Sequence, residues 1–166
     1  MRLLKYLFLG VLSAPILLGQ GTFNLNGPYD LNRNGKTETF ILNSDDKSIQ
    51  WLEFEQLSKK NELWSYNLSE SESFSDIEIL DIDQDGNQDI IALLDVSLSI
   101  NEREWLYVFL GNKQGFSSKP IKVKNLNTKN NFSRPSNITI LNGESNKLVV
   151  AMGATVREVM IFEIEI

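Results

Sequence analysis

The 166-residue sequence contains no cysteine and no histidine. The absence of cysteine excludes a disulfide framework, a thiolate nucleophile, a cysteine-held metal and a lipoprotein signal. Without histidine, the chain also lacks the commonest general base and transition-metal ligand. Basic residues are few, sixteen against twenty-two acidic ones, whereas nucleic-acid binding needs clustered Lys and Arg to neutralise phosphates. These absences exclude most familiar hydrolytic mechanisms and argue against a nucleic acid as partner.

Residues 1–20 have the pattern of a secretory signal peptide. Arg2 and Lys5 form a short positive start, and a charge-free apolar stretch follows from Tyr6 to Gly19. Because this stretch is shorter than the roughly 20 residues of a membrane-spanning helix, we expect a cleaved signal rather than an anchor or a buried helix. Loss of these two basic residues changes the formal charge from −6 to −8. The mature chain is expected to be secreted, periplasmic or on the cell surface, with no membrane insertion after cleavage.

Beyond residue 21 the apolar residues recur at strand-like spacing. Clear examples are SIQWLEFEQL at 48–57, in which apolar residues are interleaved with polar ones, the apolar run EWLYVFLG at 104–111, and the terminal MIFEIEI, in which Ile and Phe alternate with Glu. Turn clusters separate such runs at residues 43–46, 111–115 and 142–143. No stretch of the mature chain shows a convincing helical stripe. The mature chain is therefore predicted to be all-β, with about eleven short strands.

An internal repeat organises these strands. DLNRNGKTETFIL at residues 30–42 and DIDQDGNQDIIAL at 81–93 match at an offset of 51 residues. In both, acidic or amide residues occupy positions 1, 3 and 5, Gly holds position 6, and a carboxylate holds position 9 before a β run. A third unit keeps the strands but replaces the acidic loop by an ordinary turn within residues 142–146, where Asn142–Gly143 is the turn signal. The predicted units are about 22–70, 74–128 and 135–166, two four-stranded antiparallel sheets and a final three-stranded one.

The two nine-residue segments, called here the first loop (30–38) and the second loop (81–89), have the spacing of a calcium site. A calcium ion takes about six to eight oxygen ligands from a flexible loop, provided that the backbone turns sharply at Gly35 or Gly86. The predicted ligands of the second loop are Asp81, Asp83, Asp85, the carbonyl of Asn87, and Asp89. Those of the first loop are Asp30, Asn32, Asn34, the carbonyl of Lys36, and Glu38.

The two loops are not expected to bind calcium equally well. The second loop has four carboxylates, whose mutual repulsion a cation relieves. The first has two and also carries Arg33 and Lys36, so weaker binding is expected there. An EF-hand is disfavoured, because Ile41 and Ala92 take the place of its bidentate Glu and both flanks read as strands. The alternative for both loops is a polar hairpin turn, in which Asp, Asn and Gly accumulate for backbone reasons.

The sequence resembles FG-GAP or VCBS repeats, the blades of integrin-α-like β-propellers. The resemblance lies in the loop pattern, the β run that follows it, and the strand Trp105–Asn112, which leads into KQGF at residues 113–116. The resemblance implies a partial β-propeller of about three antiparallel blades with calcium on the loop residues named above. It also implies an exported protein that binds a protein or glycan ligand. A closed propeller has about four to eight blades. Self-association to complete a propeller, an open stack of sheets and a fragment of a longer product are therefore the alternatives.

Two other groups of residues could indicate an enzyme or a sugar-binding surface. Carboxylates at i, i+2 spacing form the pairs Glu53/Glu55, Glu102/Glu104 and Glu163/Glu165. Two carboxylates suffice for glycoside hydrolysis, but residues i and i+2 of a strand share one face, so solvated strand faces are expected instead. The aromatic residues that could stack on sugars are Trp51, Trp64, Trp105 and Tyr107. Their position in alternating strands predicts the sheet core.

The sequence thus predicts an exported, calcium-binding FG-GAP/VCBS-type repeat protein that acts as a non-catalytic interaction or adhesion-type module. The alternatives are a carbohydrate-active enzyme or accessory domain that uses carboxylates alone, and a truncated propeller fragment without independent function. The predicted cofactor is Ca²⁺, and the sequence does not identify the protein or glycan ligand.

Overall fold

The computed structural model describes residues 23–43, 47–56, 59–69, 72–96, 104–124, 135–144, 147–154 and 159–165. All regular structure in these ranges is β-strand, so the all-β prediction is confirmed. Within the same ranges, no helix is long and apolar enough to cross a membrane. The predicted signal peptide, most of the turn at 43–46, Glu102 and the side chains of Glu163 and Glu165 lie outside the described part of the chain.

The strands form three antiparallel sheets and one small hairpin. In the first sheet the order is β1 (Phe23–Tyr29), β2 (Thr37–Asn43), β3 (Ser48–Gln56) and β4 (Lys59–Asn67). In the second it is β5 (Phe74–Leu80), β6 (Asp89–Leu94), β7 (Glu104–Phe109) and β10 (Ile121–Lys124), and a hairpin of β8 (Gly111–Asn112) and β9 (Gly115–Phe116) lies between β7 and β10 in the chain. The third sheet has β11 (Pro135–Glu144), β12 (Lys147–Ala154) and β13 (Val159–Glu165).

Two four-stranded sheets and one three-stranded sheet are the arrangement that the sequence predicted. The structure has two further strands, β8 and β9, of two residues each. They fall in the predicted turn at 111–115, where Gly111 pairs with Phe116 and Asn112 with Gly115. The cluster of Gly and polar residues therefore closes a small hairpin instead of a plain turn.

The turn predicted at Asn142–Gly143 was wrong. Both residues belong to β11, where Asn142 pairs with Val149 and Gly143 with Leu148. The register shifts between Ile140 and Asn142, as it does at a β-bulge, which absorbs an irregular residue without ending the strand. Pairing therefore continues beyond the Asn-Gly dipeptide to Glu144 and Lys147.

The main core lies between the first and second sheets. Every residue of β6 is buried, and β7 is buried from Trp105 to Phe109. The unbroken apolar run of β6 is the pattern of a strand covered on both faces. The first sheet contributes one face of β2 and β3, with Phe40 and Trp51 among its buried residues.

The aromatic residues belong to this core, as the sequence predicted. Trp51, Trp105 and Tyr107 are buried, and the partly buried Trp64 packs against them. Phe116 of β9 lies against the first sheet, with ring centroids 5.2 Å from Trp51 and 5.6 Å from Trp64. The small hairpin of the second sheet thus covers aromatic residues of the first.

Hydrogen bonds also join the first strands of neighbouring sheets. The Asn26 side chain of β1 donates to the carbonyl oxygen of Ile77 in β5, at 3.0 Å. The backbone N–H of Ile138 in β11 donates to the Asp76 carboxylate of β5, at 2.9 Å. The three first strands are therefore neighbours, and the loops that follow β1 and β5 are held near each other.

Candidate metal centre

The first loop joins β1 to β2, and the second loop joins β5 to β6. Their backbones have the same shape. Position 4 is left-handed at Arg33 (φ 57°) and Gln84 (φ 60°), and position 6 at Gly35 (φ 79°) and Gly86 (φ 89°). A left-handed residue favours glycine, which explains the glycine at position 6. The sequence repeat is therefore also a repeat of backbone conformation.

The side chain at position 1 bonds the backbone at position 6 in both loops. Asp81 accepts a hydrogen bond from the N–H of Gly86 at 2.9 Å, and Asp30 accepts one from the N–H of Gly35 at 3.1 Å. The carboxylate therefore reaches across the loop in each case. A carboxylate oxygen has two lone-pair sites, so these bonds leave room for a metal ligand.

Three predicted ligands of the second loop converge. One carboxylate oxygen from each of Asp81, Asp83 and Asp89 lies within 4.8 Å of the other two. Asp83 is exposed, Asp81 half-buried and Asp89 buried, so the group extends from the interior to the surface. At such separations two charges repel by up to about 3–4 kcal/mol for an effective dielectric near 20, and solvent screening makes the repulsion smaller for the exposed Asp83. A cation between them would reverse the sign of this energy.

Asp89 forms the base of this group and ties the loop to the sheet. It accepts hydrogen bonds from the N–H of Ile82 at 2.8 Å and from the N–H of Gly111 at 2.7 Å. Burial raises the pKa of the Asp89 carboxyl above its ordinary value, and the two N–H donors oppose that rise. Each oxygen of the Asp89 carboxylate therefore has one backbone N–H donor.

Asp85 is not part of the converging group of three. Its two oxygens accept from the backbone N–H and the side-chain amide of Asn87, each at 2.8 Å. The Asn87 N–H, followed by its side-chain amide, holds the pKa of Asp85 below its ordinary value. In the first loop Asn34 accepts from the N–H of Lys36, also at 2.8 Å. Position 5 therefore stabilises the turn toward position 7 in both loops.

Glu38 has the place in the first loop that Asp89 has in the second. Its Oε2 atom accepts from the N–H of Leu31 at 2.8 Å and from the indole N–H of Trp51 at 3.2 Å. Glu38 is fully buried, yet its Oε1 atom has no hydrogen-bond partner in the described part of the chain. A buried polar atom without a partner is unfavourable, so this oxygen is available to a cation.

Glu53 of β3 is a site residue that the sequence prediction missed. Glu53 and Glu55 were expected on a solvated face, but Glu53 is only 4% exposed. Its carboxylate accepts hydrogen bonds from Asn32 and Asn34 and forms an ion pair with Lys36, Nζ to Oε1 at 2.8 Å. The Lys36 ammonium, followed by the Asn34 amide, lowers the pKa of Glu53 to about 2. The alternation that places Glu53 on the same face as Ile49 and Trp51 was a partial signal, because it applies equally to Glu55.

The residues of both loops fit a hard divalent cation such as calcium. Calcium takes carboxylate, amide and carbonyl oxygens, which are the ligand atoms at every predicted position. In the second loop Asp81, Asp83 and Asp89 would hold the ion. In the first, Asp30 and the free Oε1 of Glu38 would do so. Calcium at these residues stays a prediction.

A cleft of about 720 Å³ separates the two loops. The first loop lines it with Arg33, the second with Gln88, and the β8–β9 hairpin with Gln114. Trp51 and Phe116 contribute apolar surface to the same cleft. Both loops therefore border one concave surface, and an ion in either loop would fix part of its rim.

Comparison with known proteins gives one match. Residues 30–92 match the family model described as FG-GAP-like repeat. The matched segment begins at the first residue of the first loop and ends within β6, just after the second loop. Searches of curated proteins and of solved structures found no match.

Proposed function

We propose that the chain, whose residues 30–92 match the FG-GAP-like repeat that forms β-propeller blades, is an exported, calcium-stabilised interaction module without catalytic activity. The three antiparallel sheets are the blades, and the two loops are the calcium sites. The partner is a protein or a glycan. The small number of basic residues argues against a nucleic acid as partner, and no membrane insertion is expected after cleavage of the signal.

The observation that carries the proposal is the convergence of Asp81, Asp83 and Asp89 within 4.8 Å. Three carboxylates at this distance destabilise the loop unless positive charge lies between them. Each of them occupies the loop position that the calcium spacing requires. A bound calcium ion would therefore stabilise the connection between β5 and β6.

The surroundings of the buried acids support a non-catalytic role. A general acid at neutral pH needs a raised pKa and access to substrate. Glu53 has a lowered pKa because of its Lys36 ion pair, and neither Glu38 nor Glu53 lines the cleft between the loops. Asp89 has a raised pKa, but both of its oxygens accept backbone N–H groups. These carboxylates act as structural acceptors.

Thermal unfolding in excess calcium and in excess EDTA tests the calcium proposal. A ligand at 100 times its dissociation constant stabilises the native state by about 2.7 kcal/mol. For a chain of this size each kcal/mol raises Tm by roughly 2–4 °C, so a rise of roughly 5–11 °C is expected. Asp83→Asn is the matched variant, because Asp83 is exposed. Its loss should reduce the calcium effect, and the midpoint in EDTA should stay level or rise because one of the repelling charges is gone. Coincident wild-type curves would refute the proposal.

We also propose that a further blade packs against the first sheet, and that a second copy of the chain can supply this blade. Leu25 of β1 is 67% exposed and pairs with Ile41, on the face opposite to the buried Phe40. β1 is an edge strand of its sheet, and an edge strand that also exposes a large apolar side chain favours association. Light scattering after size exclusion should show a dimer that Leu25→Lys weakens, and a wild-type monomer at all concentrations would exclude the second copy.

A further inference from the structure

Glu53 lies directly opposite Glu38 across the β2–β3 ladder. Residues directly opposite in an antiparallel pair share one face of the sheet, and both of these carboxylates are buried. In the second sheet Ile90 pairs with Phe109, so the position that corresponds to Glu53 is Leu110. The first loop thus has a carboxylate on the neighbouring strand that the second loop lacks.

The partners of Glu53 come from alternate positions of the first loop. Asn32 at position 3 donates to Oε2 at 3.4 Å, and Asn34 at position 5 donates to the same oxygen. Lys36 at position 7 donates to Oε1 at 2.8 Å. At positions 3 and 5 the side chains that bond Glu53 are also those whose oxygens would face a calcium ion, whereas position 7 would use its backbone carbonyl. The Glu53 carboxylate therefore lies beside the place that an ion would occupy.

The lysine and the extra carboxylate occur together. Where the second unit has Asn87 and Leu110, the first has Lys36 and Glu53. The Lys36 ammonium neutralises Glu53 and bonds the more exposed Glu55 at 3.3 Å. The Lys36 ammonium thus places a positive charge next to the additional carboxylate, Glu53.

The ion pair does not satisfy the whole site. Glu38 is 0% exposed, its Oε2 accepts from Leu31 and Trp51, and its Oε1 has no partner in the described part of the chain. This oxygen belongs to the carboxylate opposite Glu53. Its lack of a donor indicates that the first loop has room for positive charge beyond that of Lys36.

We propose that Glu53 is a third carboxylate ligand of a divalent-cation site in the first loop, and that the Lys36 ammonium bonds it until the cation displaces it. The inference rests on the proposed calcium function. It gives the first loop three carboxylates, Asp30, Glu38 and Glu53. Among the described residues only the three of the second loop already lie within 4.8 Å of one another, so a cation in the first loop would have to draw its three carboxylates together. Calcium binding there is a competition with Lys36, so the first loop responds only to higher calcium concentrations. The amide oxygens of Asn32 and Asn34 each accept one backbone N–H and keep a second lone-pair site for the ion.

Terbium luminescence reports this site separately from the second loop. Tb³⁺ replaces Ca²⁺ at oxygen sites, and its emission is sensitised by a nearby indole. The Trp51 indole nitrogen lies 3.2 Å from Glu38 Oε2, so excitation of tryptophan should report terbium in the first loop. The full-length protein with Asp83→Asn, which weakens the second loop, is titrated with Tb³⁺, and bound terbium is then displaced by Ca²⁺.

Three variants in that background decide the role of each group. Glu53→Gln should weaken calcium binding at the first loop by at least tenfold, because a charged ligand is lost. Lys36→Asn, which copies Asn87, should strengthen it, because the competing ammonium is gone. Glu55→Gln is the matched control, since it also removes a Lys36 partner, and it should leave affinity unchanged. Circular dichroism in EDTA establishes that each variant is folded.

The outcomes separate this inference from the proposed function. Unchanged affinity in Glu53→Gln, or equal or weaker affinity in Lys36→Asn, overturns the role of Glu53 and Lys36. If Glu53→Gln fails to fold, the Lys36→Asn result alone decides. If the wild type shows the calcium effect on Tm but no terbium signal through Trp51, the second loop binds calcium and the inference fails. If neither signal appears, the calcium function itself is wrong.

Discussion

Replacing Asp89 by Ala should destabilise the fold even when no metal is bound. Asp89 is fully buried, and its two oxygens accept the N–H groups of Ile82 and Gly111 at 2.8 and 2.7 Å. The first bond closes the second loop, and the second fixes the chain that leaves β7. Ala would leave both N–H groups without their acceptor. A structural role for position 9 is therefore separable from its role as a metal ligand.

The magnitude follows from the two lost bonds. A buried donor left without a partner costs about 1–3 kcal/mol, so two cost about 2–6 kcal/mol. Part of this is offset, because the variant no longer buries a carboxylate whose pKa is raised by desolvation. A net loss of about 2–4 kcal/mol is expected, against a total stability of about 5–15 kcal/mol for typical domains.

Urea unfolding in excess EDTA, followed by tryptophan fluorescence, measures this loss without a metal contribution. The control is Asp83→Ala. Asp83 is exposed, and in the described part of the chain its Oδ1 atom accepts the N–H of Asp85, at 3.1 Å. This control should be at least as stable as wild type in EDTA, because one of the repelling charges is gone, and it should lose stabilisation only in calcium. If Asp89→Ala lies within about 0.5 kcal/mol of wild type, the range of an ordinary surface substitution, the anchoring role of Asp89 is refuted.

Two further predictions concern the β8–β9 hairpin and the turn of the second loop. Phe116→Ala should lower stability by about 2–3 kcal/mol, less than for a fully buried Phe, because the half-buried ring packs on Trp51 and Trp64 of the first sheet; an unchanged urea midpoint would contradict that packing. Gly111→Ala should be more damaging than Gly86→Ala in the same assay. A Cβ at Gly111 would lie 1.9 Å from a backbone oxygen, whereas at Gly86 it meets nothing within 4 Å and only the left-handed φ costs about 1 kcal/mol. The reverse ranking would show that the backbone near Gly111 yields easily.

The sequence predicted the parts of the structure that local pattern determines. Gly35 and Gly86 occupy the left-handed positions that the spacing required, and the apolar run of β6 is buried throughout. Local reasoning was less successful at Asn142–Gly143. An Asn-Gly dipeptide favours a turn, but pairing with β12 continues past a register shift and keeps both residues in the strand.

Glu53 shows why part of the site could not be predicted. A strand pattern places Glu53 and Glu55 on one face, but it does not show which of the two is covered. Glu53 is buried because the first loop, 17 to 21 residues earlier in the chain, folds back over it with Asn32, Asn34 and Lys36. Glu55 lies further along the strand and is exposed. The burial depends on a contact between segments that no local pattern links.

The most direct test of the account is anomalous diffraction from crystals of the protein grown in calcium. The account predicts a calcium peak between the carboxylates of Asp81, Asp83 and Asp89, which already lie within 4.8 Å of one another, with oxygen distances of about 2.3–2.6 Å. Density at that position without an anomalous signal, or carboxylates that turn away from one another in excess calcium, would contradict it.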